Sequence, residues 1–302
     1  MVDVALMVEG QSGLNWPRWQ RLVETAEKLG FAALYRSDHL VAAQPPNEDA
    51  LELFTSLTWL ASTTRRLEFG SLVSPLTFRH PIHLAQTAAA LDTLSAGRFT
   101  LGLGAGWSRR EHEMYGFAML EPMARLDRLE EGLQVITSLL RAEQPVSFSG
   151  QHFCLHDAVL LPRPLRPTSP PILLGGSGRK RSLPLAARFA DQWNAMFVSP
   201  AQFAALNQHL DLLLVQQGRQ PADLRRTVMQ GVEVGRTQAQ IDAKCEARAW
   251  AWWRTAGLFA GLAPSLRARL QEFEQAGADR VILQWLDLDD VDGLHLLADA
   301  LL

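Results

Sequence analysis

The chain has 302 residues, of which 47% are hydrophobic and 20% are charged, and its formal net charge is −3 at pH 7. This composition is typical of a globular protein with a large core, and the small charge gives no reason to expect nucleic acid or an anionic membrane as a partner. Cys154 and Cys245 are far apart, so neither a disulfide framework nor a zinc site is predicted. The apolar N-terminus lacks the basic flank of a signal peptide, and no apolar run reaches the roughly 20 residues of a membrane span. We expect a cytoplasmic protein.

Apolar, strand-like runs alternate with helical patterns along the chain. The first run, residues 3–8, precedes a helix that Asn15 can cap and Gly30 can end. Seven further runs cover residues 32–35, 67–73, 99–103, 172–174, 192–196, 227–234 and 280–285. Such alternation predicts a parallel sheet with helices on its faces, and a count of eight favours closure. We therefore predict an α/β fold, a (β/α)8 TIM barrel, as a single domain over residues 1–302.

Residues 141–170 interrupt the alternation of strands and helices after the fourth helix. The segment is rich in proline, and residues 146–153 within it look like a small hairpin. We interpret it as an insertion between the fourth helix and the fifth strand. Such an insertion is either a lid over a binding site or a rigid connection that covers an edge.

Ligands of such barrels bind at the carboxyl ends of the strands, so the turns there are the candidate sites. Ser37-Asp38-His39 follows the second strand. A His beside an Asp can orient a ring or move a proton. The alternative is structural: Asp38 would cap the turn, and His39 would be a polar residue whose hydrogen bonds are satisfied within the fold. Residues 70–81, after the third strand, form a loop before a helix that starts at Pro81.

Glycine-rich turns follow the fourth and fifth strands, at residues 102–107 and 175–178. The first is a weak dinucleotide signal, because residues 124–140 after it are helical and charged, and its glycines would instead let a flat ring approach the backbone. The second leads through Arg179-Lys180-Arg181 into a helix. Free N–H groups at a helix N-terminus bind phosphate, and nearby cations add to the attraction. The alternative is that residues 175–181 form a flexible turn whose basic side chains are solvated.

The sequence lacks the motifs that are typical of several reaction classes. The sequence contains no GxSxG elbow, no HExxH metal motif and no GxxxxGK[ST] phosphate loop. No metal site is expected. A phosphate site without an evident metal or nucleophile points to an organic phosphorylated cofactor that supplies the chemistry.

The chain resembles the luciferase-like oxidoreductase family, and within it the branch that uses coenzyme F420, a 5-deazaflavin. The resemblance is close to about Asn194 and looser beyond it. Its phrases, in the family's order, are EKLGF at 27–31, SDH at 37–39, FRHP at 78–81, LDTLSAGR at 91–98, LGLGAGW at 101–107, EH at 111–112, YG at 115–116, GGSG at 175–178 and DQWN at 191–194.

The resemblance implies a cofactor site built from the turns after several strands. His39 is the predicted proton donor or acceptor, with Glu111 and His112 in reserve. A bulge that backs the ring in this family often contains a non-proline cis peptide bond, which by position falls at Leu72-Val73. The predicted cofactor-binding residues are Asp38, Ser71, Leu72, Val73, Gly104, Gly106, Trp107, Gly175, Gly176, Ser177, Gly178 and Trp193. An acidic cofactor tail could be met by Arg109, Arg110 and Arg179.

Two positions depart from the sugar-phosphate dehydrogenases of the family. Those enzymes have a catalytic Glu where this chain has Trp107, and a Trp where it has Val41-Ala42-Ala43. These departures argue against a sugar-phosphate substrate. The run Ala-Trp-Ala-Trp-Trp at 249–253 is unusual for the family, and it either lines a pocket or subunit contact or packs on the barrel.

Three functions follow from these observations. The first is hydride transfer between coenzyme F420 and an unidentified small organic substrate. The second is an FMN-dependent luciferase-like monooxygenase that activates O2, and the third is a non-catalytic flavin-binding protein. The resemblance also implies a homodimer.

Overall fold

The computed structural model describes residues 2–248 and 257–302. Its strands are β1 (Asp3–Val8), β2 (Ala33–Arg36), β3 (Glu68–Ser71), β4 (Ser74–Pro75), β5 (Phe99–Gly104), β6 (Val146–Ser149), β7 (Cys154–Ala158), β8 (Ile172–Gly175), β9 (Gln192–Met196), β10 (Arg225–Glu233), β11 (Phe259–Ala260) and β12 (Arg280–Trp285). Its helices are α1 (Trp16–Leu29), α2 (Leu53–Thr63), α3 (Pro81–Leu94), α4 (Arg109–Tyr115), α5 (Pro122–Arg141), α6 (Ser182–Phe189), α7 (Pro200–Gln216), α8 (Gln238–Ala247), α9 (Ala263–Gln275) and α10 (Val291–Leu301), with a short 3-10 turn at Pro221–Asp223.

Parallel pairing in the order β1, β2, β3, β5, β8, β9, β10 and β12 returns to β1 and closes the barrel. The predicted (β/α)8 architecture is confirmed. Strands such as β1 are apolar on both faces because both faces are covered. Ala5 and Met7 of β1 pack with Leu173 inside the barrel, whereas Val4 and Leu6 pack against the surrounding helices.

The residues predicted to begin and end helix α1, and the proline predicted to begin α3, have those positions in the structure. The Asn15 side chain accepts a hydrogen bond from the N–H of Arg18 at 3.3 Å, and Gly30 ends α1 with φ of 100°. Pro81 occupies the first turn of α3, and the His80 side chain accepts from the N–H of Ile82 at 3.3 Å.

The inserted segment, residues 141–170, contains the predicted hairpin as the antiparallel pair β6–β7. The Glu131 carboxylate on α5 accepts hydrogen bonds from the N–H groups of Gln151, His152 and Phe153 at 2.8, 2.7 and 3.2 Å. None of the inserted residues, all of which the structure describes, lines the cavity at the centre of the barrel. The segment therefore packs on α5 as a connection between the fourth helix and the fifth barrel strand.

Three features differ from the sequence prediction. The third strand is shorter than predicted, because residues 72 and 73 leave it before β4 pairs with β5. The helix α4 and the short strands β4 and β11 were not predicted. The tryptophan-rich run at 249–253 lies outside the described residues. In the part of the chain that the structure describes, no helix is long and apolar enough to cross a membrane.

Candidate active site

A cavity of about 330 Å3 opens at the carboxyl ends of the barrel strands. Most of the predicted site residues lie on its wall, where the turns of separate strands meet. They are Asp38, His39, Leu72, Val73, Gly104, Gly106, Trp107, Gly175 and Gly176, together with the reserve candidates Glu111 and His112.

His39 is held on the cavity wall by a buried carboxylate. Its Nδ1 lies 2.8 Å from Oε2 of Glu111, whose side chain is fully buried while that of His39 is 21% exposed. Burial lowers the pKa of His39, but the hydrogen bond and charge of Glu111 outweigh it, so that the pKa is raised above its usual 6.5. Glu111 therefore favours the protonated form of His39 relative to that of a free imidazole.

Glu111 joins helix α4 to the turn after β2. Its Oε1 accepts hydrogen bonds from the N–H groups of Leu40 at 2.6 Å and Val41 at 3.4 Å. Burial raises the pKa of Glu111, but the bond to His39 and the N–H of Leu40 bring it below its usual value. Because Glu111 occupies Nδ1, the Nε2 atom of His39 is the nitrogen left to meet a ligand.

Hydrogen bonds of the Asp38 carboxylate connect two turns. Its carboxylate is buried and accepts hydrogen bonds from Arg79 and from Oγ of Ser74. Arg79 also pairs with Glu52 at 3.1 Å. Asp38 therefore fixes the turn after β2 against the bulge after β3.

The predicted bulge is present, and the Leu72-Val73 peptide bond is cis, as predicted. Val73 projects over the neighbouring strands β5 and β8. A Cβ atom on Gly104 would lie 2.6 Å from Cγ2 of Val73, and one on Gly175 would lie 3.3 Å from Cγ1. These glycines make room for the Val73 side chain, a steric role that was not predicted.

Gly106 has a similar steric role in the same turn. It has φ of +79°, and a Cβ atom there would lie 2.7 Å from Oγ1 of Thr77. The glycine-rich phrase at 102–107 thus packs against the loop that follows β3. It does not form a dinucleotide turn.

Ser71 and Trp193, which were predicted to bind the cofactor, lie behind the cavity wall and not on it. Ser71 Oγ bonds to the backbone of Gly102 on the next strand, accepting at 2.9 Å and donating at 2.8 Å. Side chains alternate along β9, so Asn194 points into the barrel and Trp193 points out towards the helices. Trp193 still positions the site, because its Nε1 donates to the carbonyl of Gly176 at 2.8 Å.

The turn at 175–178 leads from the cavity edge to the N-terminus of α6. Gly176 lines the cavity with φ of +125°, whereas Ser177 and Gly178 lie beyond its wall. Arg181, before the first helical residue, makes no side-chain cap and pairs instead with Asp127 at 2.6 Å. In the first turn of α6 the N–H of Leu183 donates to the carbonyl of Gly178 at 3.0 Å and Pro184 has no N–H, so a phosphate group would be met mainly by the N–H groups of the glycine turn itself.

The predicted arginines differ in their availability. Arg110 donates to the carbonyl of Ala42 and to Oδ1 of Asn47 at 2.6 Å, so it braces the turn after β2. Arg109 forms an exposed pair with Glu113 at 3.5 Å. Arg179 is exposed beside the turn at 175–178, and its guanidinium makes one long contact, 3.5 Å to the carbonyl of Ala205.

Polar side chains on the cavity floor were not predicted. Glu9 accepts hydrogen bonds from Nε2 of Gln284 at 2.6 Å and Nε2 of Gln11 at 2.9 Å. Nδ2 of Asn194 and Oε1 of Gln284 are buried without a hydrogen-bond partner. An unpaired donor and an unpaired acceptor among the cavity-lining residues fit the polar edge of a flavin-type ring. These residues could have been identified in the sequence as polar residues at inward-facing positions of otherwise apolar strands.

The family model for luciferase-like monooxygenases matches residues 3–299. The chain is 36% identical over 174 residues to an F420-dependent glucose-6-phosphate dehydrogenase of Nakamurella multipartita, covering 56% of this chain and 49% of that protein. It is 33% identical over 183 residues to 4-hydroxyprotoasukamycin monooxygenase of Streptomyces nodosus subsp. asukaensis, covering 61% and 47%. The chain thus spans about half the length of these curated relatives.

A solved F420-dependent secondary alcohol dehydrogenase, in complex with an F420-acetone adduct, has a similar fold. The TM-score is 0.86 and the sequence identity is 17%, with 99% of this chain and 98% of that chain covered.

Proposed function

Because the chain belongs to the luciferase-like monooxygenase family, we propose that it is an oxidoreductase that transfers a hydride between coenzyme F420 and an organic substrate. The observation that carries the proposal is the His39–Glu111 pair on the cavity wall. A protonated imidazole held by a buried carboxylate is suited to donate a proton to a carbonyl or imine as it is reduced.

The cavity residues fit such a cofactor. Asn194 and Gln284 would offer an unpaired donor and acceptor to its ring, Val73 would back the ring, and the turn at 175–178 would hold its phosphate. When bound, a deazaflavin supplies or accepts a hydride. The relative from Nakamurella, named as F420-dependent, supports this choice of cofactor.

The protein's own part in the reaction is proton transfer and positioning. In reduction, the substrate carbon gains the hydride, the C=O or C=N double bond becomes single, and Nε2 of His39 gives its proton to the heteroatom. In the reverse reaction, neutral His39 takes the proton of an alcohol. Glu111 stabilises the imidazolium and fixes its orientation through Nδ1.

The second candidate is an FMN-dependent monooxygenase that activates O2. The match to 4-hydroxyprotoasukamycin monooxygenase favours it, and its cofactor would use the same cavity and phosphate turn. Titration of the purified protein with F420 and with FMN, followed by fluorescence, separates the two. We expect F420 to bind more tightly and to be turned over without consumption of O2. Preferred binding of FMN with substrate-dependent O2 uptake would overturn the proposal.

Replacing Glu111 by glutamine should move the pH dependence of carbonyl reduction. Reduction needs protonated His39, so kcat/KM is expected to fall as the pH rises through the His39 pKa. Glu111 raises that pKa, and its loss should shift the falling limb to lower pH. The measurement is a pH profile of kcat/KM with saturating reduced F420. Glu113→Gln, which removes an exposed carboxylate from the same helix, should leave the limb in place. An unmoved limb in Glu111→Gln would rule out the positioning role.

We also propose that the protein is a homodimer that pairs through α2 and α3. Neither helix exposes a Lys, Arg, Asp or Glu side chain, since Asp92 is buried and pairs with Arg166. Charged residues are depleted from interface cores, and Ala90 and Thr87 would allow close approach. Light scattering should give twice the chain mass for the natural protein and a monomer for Ala90→Arg. A monomeric natural protein would contradict this.

A further inference from the structure

The mouth of the cavity exposes large apolar side chains, one of them beside His39. The Trp107 ring packs edge-on against the His39 ring, with centroids 5.4 Å apart and planes at 76°, and yet Trp107 is 63% exposed. Met196, which also lines the cavity, is 49% exposed. Exposed apolar groups clustered at a cavity mouth are typical of a binding surface.

Helix α4, which begins two residues after Trp107, adds two exposed apolar side chains. Glu111 and His112 are buried on the side that faces the cavity, and Met114 and Tyr115 follow them at spacings of three and four residues. Residues so spaced share one side of a helix. Met114 and Tyr115 are each 49% exposed. We call Trp107, Met114, Tyr115 and Met196 together the apolar rim.

The charges of the cavity disfavour an anionic substrate. No lysine or arginine is among the described residues that line the cavity, whereas Glu9, Asp38 and Glu111 are. Asp38 is compensated by Arg79 and Glu111 by His39, and Glu9 is bonded only to neutral amides. A phosphate or carboxylate near the reacting carbon would lose water and meet the uncompensated charge of Glu9, while the charge of protonated His39 is already balanced by Glu111.

The size of the cavity restricts what can lie inside it. Its volume of about 330 Å3 is at the low end of the range for ligand pockets, roughly 300–1,000 Å3. A cofactor ring and the reacting end of a substrate would fill that space. The rest of a larger substrate must therefore extend outward, over the apolar rim.

We infer that the substrate is an uncharged carbonyl compound, or the corresponding alcohol, with an apolar chain that lies on the apolar rim. This rests on the proposed function. In the reduction, the carbonyl carbon gains a hydride from reduced F420, the carbonyl oxygen gains a proton from His39, and F420 is released oxidised. In the oxidation, each transfer is reversed.

The test measures binding and turnover of a ketone series by the protein loaded with F420. Calorimetry should show that 2-dodecanone binds at least about tenfold more tightly than 2-butanone, because added methylenes bury apolar surface. 2-Hexanone should bind at least about tenfold more tightly than 4-oxopentanoate, which carries a charge near a similar carbonyl. The values of kcat/KM with reduced F420 should follow the same order.

A variant pair tests whether the rim is responsible. The double variant Met114→Ser with Tyr115→Ser should lower the ratio of dodecanone to butanone affinity by about tenfold. Leu212→Ser, at an exposed leucine on α7, should leave that ratio unchanged. Equal affinities across the series, no ketone binding, tighter binding of 4-oxopentanoate, or an unchanged ratio in the double variant would each overturn the inference. Failure of F420 itself to bind would instead reject the proposed function.

Discussion

Replacing His39 by alanine should lower kcat for carbonyl reduction by about 10²- to 10⁴-fold, the usual contribution of a positioned general acid. The reason is that Nε2 is the nitrogen left free by the Glu111 bond, and it belongs to a side chain on the cavity wall. Hydride transfer would then leave an alkoxide without a proton donor. The measurement is a single-turnover rate with reduced F420, which isolates the chemical step from product release.

A control separates this loss from unfolding or loss of the cofactor. His295→Ala, at an exposed position on α10, should keep the natural rate. The affinity of His39→Ala for F420 should stay within about threefold, since the predicted phosphate contacts lie on the other side of the barrel, after β8. A rate within threefold of the natural one would exclude His39 as the proton donor.

Placing a glutamate at Ser177 should weaken F420 binding by at least about tenfold, equivalent to about 1.4 kcal/mol. The new carboxylate would stand in the turn before α6, where the helix N-terminus and Arg179 favour an anion. Like-charge repulsion should shrink as salt is added, because exposed charges are screened. Fluorescence titration at low and high salt measures both effects.

The matched control adds the same charge far from the turn. Gln216→Glu lies at the exposed end of α7 and should leave F420 affinity within about twofold. If Ser177→Glu binds F420 as tightly as the control does, the phosphate is not held at this turn.

The barrel was predictable from the sequence because its signals are local. Apolar runs, a cap at Asn15, a stop at Gly30 and a proline at the start of α3 each act within a few residues. The helix α4 was not predicted because it is only seven residues long, and its buried face carries the polar Glu111 and His112 rather than an apolar stripe. Strand β4 has two residues, too few for a pattern.

The site was only partly predictable, because its key contacts join residues far apart in the chain. His39 and Glu111 are 72 positions apart, and no spacing rule predicts their hydrogen bond. Trp193 was taken for a cofactor contact because sequence phrases do not show which face of a strand a residue occupies. Asn194, the next residue, has the inward position. The alternation of side chains along β9 would have predicted Asn194, and not Trp193, as the residue that faces the cofactor.

Val73 links three strands in a way that constrains protein engineering. Its methyl groups occupy the space that side chains at Gly104 and Gly175 would fill, so these three positions form one steric unit. A library that enlarges residue 104 alone would displace the support of the cofactor ring, whereas one that also reduces residue 73 could keep it. The apolar rim has no such coupling at Met114 and Tyr115, which are half exposed. New substrate specificity is therefore best sought on α4, and the strand ends are best left intact.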